Sequence, residues 1–443
     1  MRTIILIILL ILPSCKFSIC QNANEDLSIQ KTNSSAWLSL RNSFEEDYQK
    51  LDIPDLQLSY VGNLNNIKTK VSIVRQEQYF QDVQKSLSKI NIDELSSKDK
   101  LDYELIQYET SLNLERIALE KKWIELNVAN ISDQGLSTIP MGKEWYAYFL
   151  KKWVDKEAMP DQMFEFGLKE IERVKSSMKA LQVKSGMDSL AFQKYINEAD
   201  FFYNDVDLVQ KAFEKKKATV APKVAALFPF MDKIPEVKID KGTNKDFAQV
   251  PAFYRRDTFY YNYFDTPYNK RQIGWIYVHE AVPGHHYQLN LDQELPRSSI
   301  AKLFRYYGYT EGYAAYIEEI GYEIGAYENI YDELGKWEWD IIRSVRVALD
   351  VGLNYYGWSD EEALLFWQQH IQGQDDIAHR EIARMKRWPA QVITYKYGAN
   401  KILKWRSEYE KNDDFSPKEF HKLILQNGSL PFAVLEKELN RKE

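Results

Sequence analysis

Apolar residues return at every third or fourth position through residues 36–225, with few Gly or Pro to interrupt them. In SKDKLDYELIQYETSLNLERIALEKKW (97–123), Leu101, Leu105, Tyr108 and Leu112 share one face at the helical period. The pattern predicts several long packed helices, and the charged residues between the apolar ones read as solvated faces. Near residue 236 the period changes. EVKIDKG (236–242) and FAQVPAFYRRDTFYYNYFDTP (247–267) set Val, Phe, Tyr and Thr between Gly and Pro, which predicts short strands. After TPYNKRQIGW (266–275) the helical period resumes and holds to the C-terminus. The expected fold class is therefore mainly α, with a small β-sheet set into a helical body. No low-complexity linker divides the chain, so a helical part (21–235) and a second part (236–443) are expected to pack as one body.

The first 20 residues follow another rule. Arg2 precedes an unbroken apolar run, Ile4–Leu12, too short to span a bilayer as a helix, and this reads as a signal peptide. LPSC, ending at Cys15, resembles a bacterial lipobox, in which the cysteine is lipidated; cleavage nearer Cys20 is the alternative. The protein is thus expected to be exported, periplasmic or held at the outer membrane as a lipoprotein by a lipid anchor. Both cysteines lie in this stretch, so the body has no internal disulfide framework. The net charge of −7 comes from interspersed Lys and Glu with no basic stripe, so nucleic acid is not an expected partner.

HEAVPGHHYQ (279–288) holds three of the six histidines of the chain. It approaches the zinc-protease pattern H-E-x-x-H, but Pro283 stands where the second histidine belongs. Residues 272–278 are helix-compatible and mostly apolar, which places His279 and Glu280 on a helix. Pro283 lacks an N–H, its ring collides with the carbonyl of His279, and Gly284 adds backbone freedom. The helix must bulge or break there and then resume. Helical geometry leaves the second ligand open: His286 lies nearly beneath His279 on an ideal helix, whereas His285 needs a two-residue bulge to face it. Zinc takes neutral imidazoles and often a carboxylate, keeping one position for water. YTEGYAAYIEEIGYE (309–323) offers Glu311 as that carboxylate, with Thr310 as a helix N-cap and Glu318 or Glu319 as alternatives. Gly312, Ala314 and Ala315 are small enough to let this helix pack closely on the histidine helix. His370, His379 and His421 read as surface or core residues.

HEAVPGHHYQ resembles the signature of the bacterial "domain of unknown function 885" family, which is placed with the zincin-like metallopeptidases. The pattern is His-Glu, two variable residues, Pro-Gly-His, and a Gln shortly after; His279, Glu280, Pro283, Gly284, His285 and Gln288 match it. The position after Pro-Gly-His varies in the family, which favours His285 over His286. TEGYAAYIEE resembles a Glu-Gly-Trp-Ala-x-Tyr segment, with Tyr313 for Trp, and implies Glu311 as the third ligand. PAFYRRDTFYYN resembles the strand that precedes the metal helix. RVALDVGLNYYGWSDEEAL matches at Arg346, Asp350, Gly352 and Trp358, but Asn354 replaces a histidine. REIARMKRWPAQVITYKYG matches at Pro389, Gln391, Tyr395, Lys396 and Gly398, with Ala390 in place of Gly.

The resemblance implies a large helical zincin-like body of gluzincin type, with the sheet beside the metal helix and a central cleft. It implies a zinc-dependent metallopeptidase of oligopeptidase or carboxypeptidase type, acting on a peptide substrate. His279, His285 and Glu311 would hold the metal, and Glu280 would be the general base toward the water it activates. Tyr395 and Arg346 are the candidate donors to the developing oxyanion; the structural alternative for Arg346 is a pair with Asp350. The strand around Phe253–Tyr261 suits a peptide added as an extra strand, with Arg255 or Arg256 meeting its carboxylate. Manganese or cobalt fits the same ligands. A metal-dependent hydrolase of a non-peptide amide or ester would use the same site. A non-catalytic lipid-anchored binding protein on a zincin scaffold is the rival from another class, and the intact Glu280 speaks against it.

Overall fold

The computed structural model describes residues 17–245, 250–264 and 267–441, with side chains from residue 33 onward. The signal-peptide and lipobox readings at Cys15 and Cys20 lie outside what it describes. Among the described residues no helix is long and apolar enough to cross a membrane.

The fold is mainly α, as the periodicity predicts, with two small sheets where one was expected. Helix Ser97–Leu126 begins where the Ser96 side chain accepts from the Asp99 N–H. Its predicted apolar face is buried at Leu101, Leu105, Tyr108 and Leu112. The expected solvated face narrows to a stripe at Gln107, Ser111, Ala118 and Lys122, because Asp102, Glu109, Arg116 and Glu120 are buried as well. Lys70–Leu87, Gly142–Trp153, Ser299–Lys302 and Phe432–Asn440 all pack on its other faces. Charges in such a place need partners. Asp102 has Arg41 at 2.6 Å, Glu109 has Lys152 at 3.1 Å, and Glu120 has Arg116 at 2.7 Å.

Helix Pro160–Lys184 lies along helix Ile330–Val351, the two meeting closely at Gly167, where an added Cβ would come within 2.7 Å of the Ala348 nitrogen. Ion pairs tie them to the neighbouring helices: Arg173–Glu319 at 2.9 Å, Lys336–Glu319 at 2.8 Å, Lys396–Glu170 at 2.8 Å and Lys396–Asp340 at 2.9 Å. One hydrophobic core draws on residues from both expected parts.

β1 (Phe202–Tyr203) and β5 (Tyr268–Asn269) form an antiparallel pair that the sequence pattern did not reveal. The predicted strands are β2 (Lys238–Lys241), β3 (Ala252–Arg255) and β4 (Thr258–Tyr261), in the order β2-β4-β3. β2 runs parallel to β4, and β3 antiparallel. Arg256 and Asp257 make the two-residue turn between β3 and β4, with φ of 47° and 58°, as a tight hairpin requires. Phe259 meets Tyr277 of the histidine helix edge-on at 6.1 Å, so the sheet stands beside that helix.

Candidate metal centre

Helix Ile273–Glu280 is buried at every residue from Ile273 to His279. The chain breaks at Ala281–Gly284 and a second helix runs from His285 to Glu294. The sequence predicts a bulge or break at Pro283-Gly284, and the structure has a break. Gly284 sits against the end of the first helix. A Cβ there would lie 1.9 Å from the His279 carbonyl oxygen and 2.3 Å from that of Val278, so no side chain fits. The Tyr313 hydroxyl donates to the Pro283 carbonyl at 2.9 Å and holds the turn from the neighbouring helix. This turn swings His285 to face His279, with ring centroids 4.8 Å apart and planes at 83°.

Glu311 arrives on helix Tyr307–Glu319, with one oxygen 3.4 Å from His285 Nε2. The ligand-type atoms of His279, His285 and Glu311 all lie within 4.8 Å of one another. Two features of this helix differ from expectation. It begins at Tyr307, so Thr310 lies inside it and donates to the Tyr306 carbonyl at 3.3 Å instead of capping. Gly312 packs on helix Thr394–Tyr409 and not on the histidine helix: a Cβ there would come within 2.4 Å of Gly398 Cα. The small residue serves a helix crossing that fixes Glu311 from behind.

Glu318 is fully buried behind His279. Its Oε1 lies 2.6 Å from His279 Nδ1, and Arg343 Nη1 donates to both of its oxygens at 2.7 Å. This bond leaves His279 Nε2 for the cluster, as second-layer carboxylates do for metal-binding histidines. Glu319 is committed to Lys336 and Arg173. His286 points the other way, with Nε2 2.8 Å from the Pro235 carbonyl and Nδ1 3.3 Å from the Tyr254 hydroxyl. Burial lowers its pKa, so it is held neutral. His285 is the histidine that joins His279 and Glu311.

Electrostatics inside the cluster follow from burial and proximity. Burial pushes the Glu280 carboxyl up, and the imidazoles of His279 and His285 partly oppose this. Burial works the same way on Glu311, but its hydrogen bond with His285 and the charges of His285, His279 and Arg343 win and hold it at about 2. His285 is raised: burial favours its neutral form, and Glu311 outweighs that. The donor set fits a divalent ion. Two imidazoles and a carboxylate converge, and the 3.4 Å between His285 and Glu311 matches two ligands of one tetrahedral ion with bonds of about 2.1 Å. The Nδ1 of His285 and the side-chain amide of Gln288 are buried without protein partners.

Tyr395 stands over this group, its ring 6.3 Å from that of His279 and inclined by 23°. Burial, followed by Glu311, raises its pKa, which keeps the hydroxyl a proton donor. Arg343 and Arg346 lie over its ring at 5.2 and 5.8 Å. Arg346 is engaged with Glu381 at 3.1 Å. It makes no pair with Asp350, which instead accepts from the Tyr146 hydroxyl at 2.7 Å and the Ala390 N–H at 2.8 Å. Ala390 adopts φ 68°, the region that suits the glycine of the family pattern. Asn354 is wholly engaged with backbone: it accepts from Leu136 N–H at 3.1 Å and donates to the Asp350 and Met385 carbonyls at 3.2 and 3.1 Å. It joins three segments, and none of these bonds goes to His279, Glu280, His285 or Glu311.

Arg255 and Arg256 lie exposed at the hairpin turn. His379 is exposed, His370 meets Lys175 at 2.8 Å, and His421 is buried between Tyr316 and the Leu227 carbonyl, as surface and core readings require. Sequence reasoning missed Arg343 and Arg384. Arg384 donates to Gln391 at 2.9 Å; burial, the largest influence, lowers it, but the neighbouring Tyr395 and the charges of Glu381 and Glu311 raise it overall. Neither arginine carries a local signal, since each is one cation among many on an amphipathic helix.

Two solved structures share this fold. A presumed lipoprotein from Colwellia psychrerythraea is 24% identical, with a TM-score of 0.63 over 86% of this chain and 71% of its own. A presumed lipoprotein of unknown function from Shewanella oneidensis is 16% identical, with a TM-score of 0.65 over 91% of this chain and 100% of its own. No curated protein matches. The family described as "Bacterial protein of unknown function (DUF885)" matches residues 118–439, a span that includes the whole cluster and the helices behind it. The chain therefore belongs to the bacterial DUF885 family.

Proposed function

We propose that this chain is a zinc-dependent metallopeptidase of zincin-like type. The observation that carries the reading is the convergence of His279, His285 and Glu311 within 4.8 Å, with Glu280 beside them and Glu318 bonded to the far side of His279. A zinc ion held by those three residues would supply Lewis acidity to a carbonyl and lower the pKa of water. Glu280, 4.0 Å from His279 Nε2, would accept a proton from water and deliver it to the departing amine. Its raised pKa suits both halves of that transfer. The Tyr395 hydroxyl donates to the carbonyl oxygen as it gains charge, and Arg346 and Arg343 behind the ring keep it in place. β3, at the edge of the described sheet, is the strand against which an extended peptide would align.

The deciding experiment measures bound zinc and hydrolysis of a mixed peptide library on wild type and Glu280→Gln. Wild type should hold about one zinc and cut peptides; the variant should keep zinc and lose cutting by about 10²-fold or more. Zinc with no peptide cleavage would turn the reading to a non-peptide amide or ester, and a chain that takes up no metal would end it. We also propose that the protein is an exported lipoprotein anchored at Cys15, on the LPSC motif and the description of both structural relatives as presumed lipoproteins. Cys15→Ser should move it from the membrane fraction to the soluble one.

A further inference from the structure

Beside Tyr395, three arginines share one carboxylate. Arg346 binds Glu381 at 3.1 Å from the interior, and Arg384, on helix Asp375–Arg387, stands 3.6 Å from the same group. Burial raises the Glu381 carboxyl, but the charges of Arg346, Arg384 and the exposed Arg380 win and hold it low. One glutamate cannot balance these cations, so positive charge is left over here. Arg384 carries the accessible part of it. Its distance to Glu381 is beyond hydrogen-bond length, and its Nη2 donates at 2.9 Å to the Gln391 side-chain oxygen, which is neutral. A guanidinium has five N–H groups, so donors remain to spend.

A substrate can reach this cation. The Arg384 side chain is 23% exposed, and Glu280, Glu311 and Tyr395 are half-buried and not sealed. The Gln391 nitrogen lies 3.5 Å from the Tyr395 hydroxyl, so guanidinium and phenol stand one amide group apart. Glu311 is near enough for its charge to act on Arg384. Trp388 backs the guanidinium, its ring centroid 5.6 Å away, and restricts its swing. A planar fork held in this way suits a carboxylate taken by two parallel bonds.

We propose that Arg384, in place of the hairpin arginines Arg255 and Arg256, binds a substrate carboxylate near the bond to be cut, either the C-terminal carboxylate or an acidic side chain. This rests on the metallopeptidase reading and adds the substrate class to it.

Calorimetric titration of the Glu280→Gln protein, which should bind peptides without cutting them, tests it. The probes are N-acetyl-Ala-Ala-Leu against its C-terminal amide, and N-acetyl-Ala-Glu-Ala amide against its Gln counterpart. One of the two carboxylate peptides should bind about tenfold tighter or more than its neutral partner. Adding Arg384→Gln should erase that difference, and Arg384→Lys should keep part of it. A gain in the first pair assigns the C-terminal carboxylate, and a gain in the second an acidic side chain. The proposal is overturned if neither pair differs, or if the difference survives Arg384→Gln. Should Arg384→Gln fail to fold, an undiminished difference in Arg384→Lys overturns it, since a lysine lacks the fork. Cleavage by wild type is read separately. Cutting with no carboxylate preference sinks this assignment alone, and Arg384-dependent binding with no cutting sinks the peptidase reading alone.

Discussion

Arg343 and Glu318 form a fully enclosed ion pair, a single arginine nitrogen lying 2.7 Å from both carboxylate oxygens, and Glu318 passes that order on to His279 at 2.6 Å. The pair lets a charged carboxylate exist in the interior and fixes which nitrogen of His279 faces the cluster. Glu318→Gln should weaken zinc binding by about 10- to 100-fold, read by chelator competition, and also destabilise the fold, since it strands the buried Arg343 charge. Arg343→Leu strands the Glu318 charge in the same way; a loss of about 3–5 kcal/mol in urea unfolding is expected. A variant of Glu318 with unchanged zinc affinity would remove it from the metal-centre account.

The two adjacent histidines should part company under mutation. His285→Ala should lose metal and some stability, because it leaves the Glu311 carboxylate without the hydrogen bond that holds it ionised. His286→Ala should keep metal and lose about 2 kcal/mol or more, because its bonds to Pro235 and Tyr254 are buried. Metal content and thermal midpoints on both variants decide this; metal loss in His286→Ala alone would reverse the ligand assignment.

Gly312→Ala should force the Glu311 helix off helix Thr394–Tyr409, since the added Cβ would sit 2.4 Å from Gly398 Cα. Overpacking of this kind costs about 1–3 kcal/mol. Backbone cannot swing aside as a side chain can, so the upper end is expected. Glu311 moves with its helix, and zinc affinity should fall together with the thermal midpoint.

Stability should decline as pH rises from about 4 to about 7 because of Asp350. Burial raises its carboxyl to about 7, and the bonds from Tyr146 and Ala390 offset this only in part. The unfolded chain releases that proton near pH 3.9, so between the two values the folded form holds a proton that the unfolded form has lost. The contribution is fully present below about pH 4, is lost as pH climbs through about 7, and is flat above. Its size is up to about 4 kcal/mol at about 1.4 kcal/mol per unit. Urea midpoints of wild type and Asp350→Asn at pH 5 and pH 8 check the sign: the variant should show the smaller difference. Asp155 and Asp292, raised by burial to about 6, act in the same direction and leave a residual slope in the variant.

The sequence by itself determined most of the elements, though not the β1–β5 pair, and the first layer of the candidate site. Helical periodicity is local, and so is the change to strand texture at residue 236; both appear where predicted. The Pro283-Gly284 break is local too, because a missing N–H and a position with no room for a Cβ are properties of those two residues. Tertiary structure alone decided the rest. Whether the charges of helix Ser97–Leu126 meet water depends on what packs around it, and several other segments do. Whether Glu318 is a ligand or a support depends on Arg343, which is 25 residues away on another helix. Gly312 looked suited to the histidine helix and instead meets Gly398, because which helix crosses at a small residue is set by the whole bundle. Periodicity reports that a face is buried; only the assembled chain reports against what.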